Sequence, residues 1–120
     1  MLFSHSINQN IPLLPGAATA TEVMRAAEAG FKVLKFFPAS TSGGAAAIRA
    51  FTGPFSGISF LPTGGIHANN LLDYLNLPNV QAVGGSWMLP KDKVQAGDWQ
   101  AVTALSREVS ELSNMKELTQ

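Results

Sequence analysis

The chain has 120 residues and a mass of 12.7 kDa, room for one modest domain. Hydrophobic residues make up 46% and charged residues only 13%, below the usual quarter or so, which argues against disorder and suits elements buried on two faces. Eight basic side chains balance eight acidic ones, so no basic face recommends a nucleic acid, and a cysteine count of zero excludes both a disulfide framework and a thiolate metal site.

The opening MLFSHSINQN lacks a basic segment followed by an apolar run, so it does not read as a signal peptide. No apolar stretch is long enough to span a bilayer, and a cytoplasmic location fits the lack of cysteine. Four short apolar runs then follow: IPLLPG from Ile11, FKVLKFFPA from Phe31, ISFLPTGG from Ile58 and VQAVGGSW from Val80. Each runs into Pro or Gly, which stop a strand and begin a turn. Their starts are 20, 27 and 22 residues apart, leaving room for one helix in each gap.

Thr19 and Glu22 form a T-x-x-E capping box that starts the first of these helices, and Gly30 stops it. Gly43 to Phe51 reads as a short alanine-rich helix. Ala68 to Leu75 reads as another, with Leu71, Leu72 and Leu75 on one side. Lys91, Asp92 and Lys93 look like a solvated turn. Asp98 is a good N-cap for a last helix, with Val102, Leu105, Val109 and Leu112 as its apolar stripe and Arg107, Glu108 and Glu111 outside.

Strands alternating with helices over short connections predict an α/β fold with a parallel sheet and right-handed crossovers. An open doubly wound sheet and part of a (β/α)8 barrel both satisfy the pattern, within a single domain spanning 1–120. In either, chemistry belongs at the carboxyl ends of the strands. Pro15–Gly16, Lys35 to Ala39, Pro62 to Gly65 and Gly84 to Trp87 stand there.

Lys35 is the anomaly, a lysine inside the strand-like VLKFF. Taking an ammonium out of water is costly unless it is paired or neutralised. Alternation sets Val33, Lys35 and Phe37 on one face and Leu34 and Phe36 on the other. The ordinary reading is a lysine paired with a carboxylate, or one whose ammonium reaches water past the strand end. None of the four strands carries an acidic residue to pair with it. An apolar surround also favours the neutral amine, a nucleophile toward carbonyls. The two readings stand about even on the residues alone.

Two glycine pairs close consecutive strands, PTGG (Pro62 to Gly65) and VGGS (Val83 to Ser86). Glycines let a backbone approach a ligand, and successive free N–H groups make an anion nest. One such turn serves geometry alone often enough. Two at adjacent strand ends, with the Thr63 and Ser86 hydroxyls, point to a phosphate site. His5 and His67 read as surface residues without metal spacing, and Trp87 and Trp99 as core or helix-packing residues.

KFFPA, GPF (Gly53 to Phe55), PTGGI and VGGSW, in that order, resemble the bacterial 2-keto-3-deoxy-6-phosphogluconate (KDPG) / 4-hydroxy-2-oxoglutarate (KHG) aldolases, from about Ile11 to Leu112. The resemblance implies a (β/α)8 barrel, a trimer, and a Schiff-base lysine working without metal or other cofactor. Lys35 would be that catalytic lysine, Phe37 would wall the pocket, and Thr63 would lie beside the keto acid. Gly64, Gly65, Gly85 and Ser86 would cradle the phosphate.

The implied partner is a phosphorylated keto acid or pyruvate, not a nucleic acid or a membrane. Only the last four strand–helix units of the family pattern are matched, so the chain reads as the C-terminal half of the barrel. MLFSHSINQN then reads as the tail of the fourth helix. The family's early-strand glutamate base, and the arginine and threonine that hold the pyruvate carboxylate, have no counterpart. Ser40 stands where KFFPA is often followed by Glu. A truncated, catalytically crippled phosphate-binding half barrel, or another phosphate-binding barrel lyase or synthase, are the alternatives.

Four strands alone leave two apolar edges, at IPLLP and VQAVGG, and inward faces including Val33, Phe37 and Phe60 that lack an opposite wall. The expectation is a homo-oligomer.

Overall fold

The computed structural model describes residues 2–115. Three parallel strands lie side by side in chain order, β1 (Gly16–Ala17), β2 (Val33–Phe36) and β3 (Ser59–Pro62). Helices occupy the stretches before, between and after them: α1 (Leu2–Asn8), α2 (Ala20–Glu28), α3 (Gly44–Ala50), α4 (Leu71–Leu75), α5 (Lys91–Gln95) and α6 (Trp99–Asn114). The expected α/β architecture with a parallel sheet is therefore present. MLFSHSINQN carries α1, and its Met1 lies outside the described residues.

Two of the four expected strands barely form. β1 has only two residues, because Pro12 and Pro15 bring no N–H to a ladder. What pairs is the carbonyl side: Pro15 O accepts from Lys35 N at 2.8 Å and Ala17 O from Phe37 N at 3.3 Å. The run from Val80 forms only two bridges to β3, Phe60 with Val80 and Thr63 with Gly84, and is not a regular strand. It lies at the sheet's edge with a single neighbour, and Gly84–Gly85 stiffen it least where it should be straight.

The helices begin as their residues dictate. Thr19 Oγ1 accepts from Glu22 N at 3.3 Å, and Glu22 Oε2 accepts in return from the N–H groups of Ala18 and Thr19 at 2.8 and 3.0 Å. These bonds hold the Glu22 carboxyl below its ordinary pKa, the Ala18 bond most. Gly30, at φ 92°, takes the left-handed conformation that ends α2. Asp98 Oδ1 accepts from Ala101 N at 3.1 Å and opens α6, whose Val102, Leu105, Val109 and Leu112 are half buried. Two expectations need correcting. Lys91 to Lys93 are not a turn but the start of α5, and Trp99 is 61% exposed instead of packed. At the first residue of α6, Trp99 shares a surface hollow with Thr103, Ala104 and Arg107, not with the half-buried stripe.

One face of the sheet is sealed. Leu34, Phe36, Phe60 and Pro62 alternate along β2 and β3 and are fully buried against Val23, Ala26, Ile48 and Leu71. The Phe36 and Phe60 rings meet edge to face at 6.2 Å, and Phe51 adds a third ring 5.7 Å from Phe60. Phe60 thus faces the helices, not the interior where it was expected. Parity along one strand does not say which set turns inward; the register does, pairing Leu34 with Phe60 and Lys35 with Leu61.

Val33, Lys35, Ser59 and Leu61 form the opposite face and are only half buried, and Phe37 beyond them is 53% exposed. The molecule is flattened to 44 × 35 × 25 Å, with a radius of gyration of 16.1 Å. A rounded domain of this length would have about 14 Å.

Candidate active site

β2 delivers Lys35 near the carboxyl end of the sheet, with Gly16 on one side and Leu61 on the other. Its ammonium stands 5.5 Å from the centre of the Phe37 ring, close enough for a cation–π attraction. The apolar surround weighed for Lys35 is not complete. Lys35 is half exposed, because its strand face meets no second wall among the described residues.

After Phe37 the chain turns through a cis Phe37–Pro38 peptide into a short 3-10 turn, Ser40–Ser42. This turn is laced to the PTGG loop: Ala39 N donates to Thr63 O at 2.8 Å and Ser40 N to Gly64 O at 3.0 Å. The lacing brings the backbones too close for side chains. A Cβ on Gly64 would stand 3.3 Å from the Phe37 ring and from Pro38 Cα, and one on Gly65 would collide with the Ser40 side chain. Both glycines have positive φ, 103° and 70°, so their identity is required twice over. Ser40, where the resemblance led us to expect Glu, packs on Gly65.

The neighbouring loop is fitted in the same way. A Cβ on Gly84 would lie 2.6 Å from Thr63 Oγ1, and one on Gly85 would run into the Trp87 indole. Trp87 is therefore half buried over this loop.

Phe37, Thr63, Gly64, Gly65, Gly85 and Ser86 together line one pocket of about 290 Å³, joined by Ile66. Six of the seven site residues expected from the sequence thus converge on it. Lys35 does not line the pocket, but its ammonium sits over the Phe37 ring that does. Among the described residues, none accepts a hydrogen bond from the backbone N–H of Gly65, Ile66, Gly85 or Ser86. Four free donors on a pocket wall suit an anion.

Sequence reasoning does not find Ile66, although its place directly after PTGG marks it as a wall residue. It misses Asn70 as well. The Asn70 Oδ1 accepts from His67 N at 2.8 Å and its Nδ2 donates to Gly65 O at 3.1 Å, bracketing Ile66. His5 and His67 are exposed, as expected. Among the described residues, no three acidic or histidine side chains gather as metal ligands, and no helix is long and apolar enough to cross a membrane.

The family model for KDPG and KHG aldolase matches residues 1–105. A 2-dehydro-3-deoxy-phosphogluconate aldolase of Pseudomonas aeruginosa is 54% identical over 110 residues, covering 92% of this chain and 50% of that protein. A KHG/KDPG aldolase of Escherichia coli K12 is 48% identical over 101 residues, covering 84% and 47%. Among solved structures, a KDPG aldolase of Legionella pneumophila, with pyruvate captured at low pH as a covalent carbinolamine intermediate, superposes with a TM-score of 0.83. It is 40% identical, over 87% of this chain and 50% of that one. The chain spans about half the length of the curated relatives it matches.

Proposed function

The chain belongs to the KDPG and KHG aldolase family, and from that premise we propose that it carries the Schiff-base half of a class I aldolase site. Lys35 is the nucleophile. Its neutral amine adds to the C2 carbonyl of a 2-keto acid, and loss of water leaves an iminium. The C3–C4 bond then breaks with its electron pair drawn into the iminium, while the C4 hydroxyl gives its proton to water and becomes the aldehyde carbonyl. The aldehyde departs, and the enamine left behind is protonated and hydrolysed to pyruvate and free Lys35. For KDPG the aldehyde is glyceraldehyde 3-phosphate; for 4-hydroxy-2-oxoglutarate it is glyoxylate.

One observation carries this reading: the pocket that collects Phe37, Thr63, Gly64, Gly65, Gly85 and Ser86 beside the Lys35 ammonium. Phe37 walls the keto acid and Thr63 lies beside it. The amides of Gly65 and Gly85, with Ser86, receive the phosphate, Gly64 letting the backbone pass close. The carbinolamine captured in the Legionella pneumophila relative is the same chemistry one step before the imine.

The four strand–helix units are one half of a (β/α)8 barrel, and the half-open face with Lys35 is the barrel interior. Among the described residues, large apolar side chains are exposed before the first strand (Leu2, Ile7, Ile11 and Leu14) and again after the run from Val80 (Leu89, Val94, Trp99 and Met115). Further strands and helices would cover them, and the working form is an oligomer or a completed barrel.

Incubation with pyruvate and a hydride reductant tests the central claim. Mass spectrometry should find the reduced pyruvate adduct on Lys35, and none in Lys35→Ala. A folded chain that gives no adduct, or one on another lysine, would end the assignment.

A further inference from the structure

We infer that Asn70 is the positioning residue of the anion cradle: it holds the Gly65–Ile66 amides open toward the pocket. The inference rests on the cradle proposed above.

Asn70 occupies the N-cap position of α4, where an asparagine ordinarily accepts from the first helical amides. Here the side chain caps nothing in α4. It turns back instead, accepting from His67 N at 2.8 Å and donating to Gly65 O at 3.1 Å. One planar amide thus fixes the peptide groups on either side of Ile66. Gly65 and Ile66 both line the pocket, and none of the described residues accepts from their own N–H groups.

The loop needs this help. Gly64 and Gly65 both have positive φ, the freest residues in the least restricted conformation, so their backbone would wander without a tether. Ser40 N fixes the carbonyl of Gly64, and Asn70 fixes that of Gly65. A free Gly65 carbonyl can rotate toward the pocket and present an acceptor where the anion needs donors. Asn70 prevents that rotation, which makes it an electrostatic gatekeeper without itself lining the pocket.

The test compares Asn70→Ala with Asn70→Ser in the full chain, using inorganic phosphate and pyruvate as separate probes. Phosphate binding is followed by the NMR shifts of the Gly65, Ile66, Gly85 and Ser86 amides. Pyruvate is followed by hydride trapping on Lys35. Serine retains an oxygen that accepts from His67 N but is too short to reach Gly65 O. Removing one tethering hydrogen bond should weaken phosphate about five-fold in both variants, with a clearly smaller loss for pyruvate.

Phosphate affinity at the parent level in Asn70→Ser would reduce Asn70 to an ordinary turn residue and overturn the inference. So would equal losses for the two probes. Should Asn70→Ala fail to fold, the serine variant decides by itself. If the parent chain traps pyruvate but its cradle amides do not respond to phosphate, the cradle reading falls and this inference with it.

Discussion

The two faces of the sheet obey the same alternation and have opposite fates. Leu34, Phe36, Phe60 and Pro62 are sealed beneath α2, α3 and α4, while Val33, Lys35, Ser59 and Leu61, one residue out of phase, remain half exposed. The sealed face is complete within this chain, with aromatic rings in edge contact and side chains fully out of water. The other face carries the lysine. Stability thus rests on the even positions of these strands and the proposed chemistry on the odd ones, and the difference teaches that only the even face is complete within the described residues.

The sharpest way to break that contrast is to ask the open face for turnover. A positioned general base is worth about 10²- to 10⁴-fold, and no described residue lining the pocket is an acid or base able to serve aldol cleavage. Imine formation should therefore proceed while cleavage of KDPG stays at least about a hundred-fold below that of a full-length relative, measured by coupled detection of pyruvate. Cleavage at a comparable rate would mean the open face is already complete.

Truncation at two adjacent positions is the next test. Phe60→Ala removes a fully buried ring and should cost about 3–5 kcal/mol in urea unfolding, enough to unfold much of a small domain. Leu61→Ala, on the half-exposed side, should cost under about 1 kcal/mol in the isolated chain. Similar costs for the two would show that the open face is covered in solution, as an oligomer would cover it.

The smallest effect is at the edge of the sealed layer. Glu22 has its carboxyl pKa lowered by the Ala18 and Thr19 bonds. A lowered folded-state value means the charged form is favoured by folding. Its contribution is present above the ordinary carboxylate range and lost as pH falls through the folded value. Glu22→Gln should lower Tm slightly at neutral pH and let the two stability curves converge as pH falls, read as Tm against pH from about 6 down to 3. An unaltered acid limb would show that the capping box does not report on folding.

Much of this was legible in the residues because it is local. The Thr19–Glu22 box, the stripe of α6 and the placement of Lys35 at a strand's carboxyl end each depend on neighbours a few positions away. PTGG and VGGS announced close backbone approach, and the structure supplies the reasons one by one: Phe37, Ser40, Thr63 and Trp87 occupy the space a Cβ would need. What was not legible depends on distant partners. The side taken by Phe60 required the register against β2. The brevity of β1 reflects prolines within an apolar run that looks strand-like by hydropathy alone. Asn70 falls inside the helix expected over 68–75, whereas α4 starts only at Leu71, and its choice of Gly65 over α4 is settled by loop geometry that no periodicity encodes. Within the sealed layer, Asn79 makes a similar long-range choice, its Nδ2 donating to Ile48 O at 2.8 Å.

The indole of Trp87 over Gly85 has an optical consequence. The chain contains two tryptophans, and Trp99 is the exposed one at the head of α6. Replacing Trp99 by phenylalanine would leave a single tryptophan, packed against Gly85, which lines the pocket. Any movement of that loop changes the solvent around the ring, so the intrinsic ultraviolet fluorescence of such a chain becomes a continuous gauge of the loop's state, with no dye attached.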